Sequence, residues 1–122
     1  MLHHISLPVS NLQASAEMYD AIMQAIGYRC VVSVETAVGY GIEDGKDKLL
    51  LVSNPNAQAA SKGFHLAFAA PSRDAVDSFH KAALMFGASD NGKPGLREHY
   101  GPNYYAAFII DLDGHRLEAV NK

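Results

Sequence analysis

Hydrophobic and polar residues alternate from the start of the chain. Over 2–9, Ile5, Leu7 and Val9 share one face of an expected strand, and His4, Ser6 and Pro8 share the other. The pattern returns at 63–70, where Phe64, Leu66 and Phe68 oppose His65, Ala67 and Ala69. After each strand the period becomes helical: Leu12, Ala16, Tyr19, Ile22, Met23 and Ile26 in the first case, and Val76, Phe79, Ala83 and Phe86 in the second. Ser10 or Asn11 is the expected N-cap of the first helix and Ser72 that of the second, with Gly27 and Gly87 as stops. His4 and His65 lie 61 positions apart, Gly27 and Gly87 lie 60 apart, and Tyr19 corresponds to Phe79. The chain therefore reads as one unit written twice.

Short strands are expected after each helix, over 28–34, 36–42 and 47–53, then near 88–90, 103–111 and 115–120. Asp44-Gly45 and Asp113-Gly114 are turn signals at the same place in their units. The expected fold is α+β: two tandem βαβββ modules, about 1–54 and 63–122, joined by a polar linker at 55–62. The modules make one domain, 1–122, whose two curved mixed sheets shape a cup-like cleft.

Composition narrows the function. Among 122 residues, 48% are hydrophobic and 19% charged, which suits a globular domain and excludes a disordered tail. A net charge of −3 without a basic run gives no footprint for nucleic acid or anionic lipid. No apolar run is long enough to span a bilayer. Cys30 is the only cysteine, so no intrachain disulfide forms, and the start at Met1-Leu2-His3-His4 lacks the pattern of a secretory leader. A cytoplasmic protein acting on a small molecule is the expectation.

The polar faces of the two equivalent strands carry His4 and His65. On the last strand, Leu117 and Ala119 facing a helix would turn Glu118 into the cup with both histidines. Two imidazoles and a carboxylate on separate strands are a facial triad for one divalent metal ion, with positions left open for substrate. The residues do not choose among Fe, Mn, Ni, Co and Zn. His3 points the other way, His80 on a helix and His115 in a turn are expected in solvent, and Cys30 is expected as a small buried hydrophobe.

A second cluster comprises Arg97, His99, Tyr100, Tyr104 and Tyr105, where the irregular stretch 91–102 closes one end of the cup. His99 could move a proton and a tyrosine hydroxyl could bond an oxygen ligand. Alternation turns one of Tyr104 and Tyr105 inward without saying which. Tyr105 is taken with His99 as the catalytic candidate, and Arg97, Tyr100 and Tyr104 as substrate contacts.

The stretches His4-Ile5-Ser6-Leu7-Pro8-Val9-Ser10-Asn11-Leu12, Tyr19-Asp20, Phe64-His65-Leu66-Ala67-Phe68 and Ala107 to Glu118 together resemble the vicinal oxygen chelate superfamily. That superfamily groups glyoxalase I, extradiol dioxygenases, and fosfomycin- and bleomycin-resistance proteins. The resemblance covers nearly the whole chain and implies that His4, His65 and Glu118 bind a divalent metal. It also implies a homodimer, with the metal site either within one chain or shared across the interface. Glyoxalase I uses a fourth protein ligand, and the matching position here falls within Leu49-Leu50-Leu51, none of which can coordinate; Leu50 is taken as the match and left as a substrate contact. Three ligands imply dioxygenase-like or fosfomycin-enzyme-like chemistry, although no loop suited to a phosphonate is present. The expected function is a metal-dependent enzyme, a dioxygenase or a lyase or isomerase, on a small oxygenated substrate. The alternatives are a metal-free protein that sequesters a drug-like ligand, and a dimeric accessory domain with a vestigial site.

Overall fold

The computed structural model describes all residues, 1–122. The first module runs β1 (Ile5–Val9), α1 (Leu12–Ala25), β2 (Arg29–Val34), β3 (Ala37–Gly41) and β4 (Asp47–Ser53). The second runs β5 (Leu66–Ala69), α2 (Arg73–Met85), β6 (Ser89–Leu96), a single 3-10 turn at Glu98–Tyr100, β7 (Tyr105–Ile110) and β8 (Arg116–Asn121). Each module forms its own four-stranded mixed sheet, ordered β1-β4-β3-β2 and β5-β8-β7-β6. The edge strands β1 and β5 pair in parallel with β4 and β8, and every other pairing is antiparallel. At an edge, Pro8 costs the ladder nothing on the open side.

The repeat extends to the helix ends. Asn11 and Ser72 are the N-caps, their side chains accepting from the backbone N–H groups of Ala14 and Ala75. Both helices close in the same way, with Gly27 and Gly87 at φ of 93° and 97°. The Tyr28 N–H reaches back to the Met23 carbonyl at 2.9 Å, and that of Ala88 to Ala83 at 3.0 Å. This six-to-one closure requires a left-handed residue, which glycine adopts without strain.

The apolar faces of both modules merge. One cluster of 21 buried residues includes Leu7, Tyr19, Ile22 and Leu51 of the first module and Val76, Phe79, Ile109 and Leu117 of the second. Helices α1 and α2 pack on one another, so the modules share a core instead of meeting at a wet interface. A polar stitch reinforces this join. The Tyr19 hydroxyl donates to Asp111 Oδ2 at 2.6 Å, the Ser10 N–H donates to Asp113 Oδ1 at 3.1 Å, and His115 Nε2 lies 2.7 Å from the Pro8 carbonyl.

Several sequence expectations are corrected here. The strands begin at Ile5 and Leu66, so His4 and His65 each stand just before an edge strand. The piece expected near 88–90 is an eight-residue strand, β6, kept in register with β7 by two bulges around Gly92 and Gly95. His115 and His80 are buried, not solvated: His115 bonds Pro8, and His80 Nε2 lies 2.9 Å from Asp90 Oδ1. The Gly92 N–H and then His80 hold the Asp90 carboxyl below its usual range. Cys30 is exposed because β2 is an edge strand. No helix is long and apolar enough to cross a membrane.

Candidate functional site

The centre of the site is Glu118. Leu117 and Ala119 face the core, as alternation requires, which places Glu118 on the opposite face of β8. Its neighbours there cover it, leaving it 1% exposed. A carboxylate so buried needs partners for both oxygens. Oε2 lies 2.9 Å from His65 Nε2, and Oε1 accepts from the Tyr104 hydroxyl at 2.5 Å. Across the ladder Glu118 is in register with Phe108 of β7, whose ring lies 6.3 Å from the His65 ring.

Burial, then the bond to Glu118 and its charge, push the Tyr104 hydroxyl up to about 12. At neutral pH it is therefore a proton-bearing donor that fixes one carboxylate oxygen and leaves the other free to point at His65. The Tyr100 ring packs 5.2 Å from that of Tyr104, and His99 packs 4.1 Å from Tyr100, so an aromatic row runs outward from Glu118. His99 itself bonds neither Glu118 nor His65, and it and Tyr100 lie exposed at the rim.

Of the two tyrosines, Tyr104 is the inward one. Tyr105 points to the helix side, where its hydroxyl donates to Asp77 at 2.6 Å and Arg73 lies over its ring. Tyr104, and not the catalytic candidate Tyr105, is therefore the tyrosine that meets Glu118. Arg97 does join the site face, with its guanidinium over Phe108. Leu50 sits between Ser6 of β1 and Gly39 of β3 in the first sheet's ladder, partly buried.

His4 stands apart. No three His, Cys, Asp or Glu side chains of one chain are grouped so as to hold a metal ion, so His4 does not join His65 and Glu118 within the chain. It is exposed, with its Nδ1 2.8 Å from His3 Nδ1. Both histidines line a pocket of about 180 Å³, largely apolar, whose walls include Met23 and Tyr28 on one side and Leu66 and Phe68 on the other.

The donor pair fits a metal ion. Two ligands about 2.1 Å from a divalent ion and at right angles stand about 3 Å apart. The separation between His65 Nε2 and Glu118 Oε2 is 2.9 Å. The Tyr104 hydroxyl supplies the outer bond that such a carboxylate ligand requires for its orientation. His65 keeps 48% of its side chain exposed, so the pair is open to an approaching ion.

The comparisons with known proteins agree with this architecture. A family model described as Glyoxalase/Bleomycin resistance protein/Dioxygenase superfamily matches residues 1–119. The chain is similar to the crystal structure of a glyoxalase/bleomycin resistance protein from Albidiferax ferrireducens T118, at 26% identity and a TM-score of 0.84, covering 98% of this chain and 97% of that one. It is also similar to a glyoxalase/bleomycin resistance protein/dioxygenase family enzyme from Burkholderia phytofirmans PsJN, at 17% identity and a TM-score of 0.73, covering 98% and 97%. A variant of glyoxalase I from Zea mays shares the fold at 21% identity and a TM-score of 0.73, this chain covering 96% of itself but 45% of that longer one. No curated protein matches the sequence. Over its whole length, the chain belongs to the glyoxalase/bleomycin resistance protein/dioxygenase superfamily.

Proposed function

We propose that the protein is a divalent-metal-dependent enzyme acting on a small oxygenated substrate. His65 and Glu118 of one chain would hold the ion together with His4 of a second copy in a homodimer. The observation that carries the reading is the His65–Glu118 pair, 2.9 Å apart with the carboxylate 1% exposed. A divalent ion held between them would supply positive charge to a carboxylate that is otherwise buried. His4 is an exposed imidazole just before the edge strand β1, the position that His65 holds before β5, so it is free to complete another chain's site.

A divalent ion bound there supplies Lewis-acid polarisation to substrate oxygens. The remaining work falls to the chain's own side chains. Glu118 carries the charge that retains the ion, and Tyr104 fixes its orientation. Phe108 forms the apolar floor beside His65, and the exposed His99 and Tyr100 border the site. Ion identity within the set Fe, Mn, Ni, Co and Zn is left to measurement.

Elemental analysis of wild type and His65→Ala, purified without a tag or chelator, tests the proposal. About one ion per chain in wild type, lost in the variant, supports it. A wild type that stays empty after anaerobic exposure to each ion contradicts it and favours a metal-free binding protein. The largely apolar pocket of about 180 Å³ beside His4 supports that second reading.

A further inference from the structure

We infer that Arg97 is a specificity residue that anchors a carboxylate of the substrate, whose apolar body lies beside Phe108 while its oxygenated end reaches His65 and Glu118. The inference rests on the proposed function in taking this sheet face as the substrate site.

Arg97 follows the last residue of β6, and its backbone N–H donates to the Tyr104 carbonyl at 2.7 Å. From that fixed point its side chain turns back over the sheet. Nη2 donates to the Lys93 carbonyl at 2.7 Å, and the guanidinium carbon stands 5.4 Å from the centre of the Phe108 ring. Two glycines clear the seat. A Cβ at Gly92 would stand 3.2 Å from Nη2 and one at Gly95 3.2 Å from Nη1, tighter than ordinary contact. The bulges that place these glycines in β6 are thus what leave room for a guanidinium over the aromatic ring.

The guanidinium is held but not neutralised. Arg97 takes part in none of the chain's ion pairs, and one protein hydrogen bond leaves four of its five N–H donors. A planar fork in that state matches a carboxylate through two parallel bonds. A further cation lies nearby, with Lys122 Nζ 6.0 Å from the Tyr104 ring. The order Arg97, Phe108, His65 across the face sets the shape of the ligand. Its carboxylate and its oxygenated end are separated by a body that covers about one aromatic ring.

The test uses the full chain treated with chelator, so that its outcome is independent of metal binding. Affinities for 3-phenylpropanoate and 3-phenylpropanamide are measured by NMR titration on wild type, Arg97→Gln and Arg97→Lys, with thermal melts as the fold control. The acid should bind wild type about tenfold or more tighter than the amide, as a charge-assisted bond predicts. Arg97→Gln should lose that preference and Arg97→Lys should keep only part of it. If Arg97→Gln does not fold, the reduced preference of Arg97→Lys carries the test. Equal affinities for acid and amide, a preference unchanged by the substitutions, or no binding of either probe overturns the inference. Failure of the metal reading alone would instead leave the acid preference intact and remove only the metal from wild type.

Discussion

The Tyr104 hydroxyl donates to Oε1 of Glu118 at 2.5 Å, so that Oε2 is the oxygen facing His65. One proton thereby decides which half of a buried carboxylate is available to a ligand. Tyr104→Phe leaves Oε1 buried without a donor, which costs about 1–3 kcal/mol. It should also weaken metal affinity by roughly 10–100-fold, as loss of an orienting outer bond does. Urea melts of the apo-protein and a metal titration check the two effects separately.

The stitch between modules predicts a stability effect far from the site. Tyr19→Phe strips Asp111 Oδ2 of its donor in a fully buried setting and should destabilise by about 1–3 kcal/mol, with metal stoichiometry unchanged. Phe79 holds the equivalent place in the other module and carries no hydroxyl, so the bond is not a requirement of the helix itself.

Alkaline pH gives a signed prediction. Burial, then the neighbouring carboxylates Asp111 and Asp20, push Tyr19 and Tyr40 above their ordinary value of about 10. A folded state that holds these protons more tightly gains stability that is complete below pH ~10 and is lost as pH rises toward the folded values. Unfolding free energy should therefore fall steadily above pH ~10, and less steeply in Tyr19→Phe. Equilibrium urea unfolding between pH 8 and pH 11 checks the slope.

Cys30 should react in the native state. Its exposure on the edge strand β2 predicts one equivalent of fast thiol labelling without denaturant, matched by no further labelling after unfolding. A thiol that reacts only in denaturant would place β2 inside an interface between copies.

Most of the fold, and the facing of Glu118 away from the core, were legible in the sequence because they depend on local periodicity. The 61-residue spacing of His4 and His65, the caps at Asn11 and Ser72 and the stops at Gly27 and Gly87 all have local causes. So does the parity that turns Glu118 away from Leu117 and Ala119. What was missed depends on distant partners. The burial of His115 follows from a carbonyl 107 positions away at Pro8, which no local window contains. β6 escaped because Gly92, Pro94 and Gly95 show no alternation, and it is a strand only because β7 pairs with it. Tyr104 and Tyr105 were indistinguishable until the register of β7 against β8 was known. The pair of glycines beneath Arg97 was visible as residues, but its use appears only once the guanidinium is seen lying above it.

The most direct test of the account is to mix His4→Ala and His65→Ala chains, allow the subunits to exchange, and measure bound Zn. Each variant alone should bind none, while the mixture should regain metal through heterodimers that contain one intact His4, His65 and Glu118 set. Zinc retained by His4→Ala alone, or none regained by the mixture when wild type binds it, would contradict a site built from two chains.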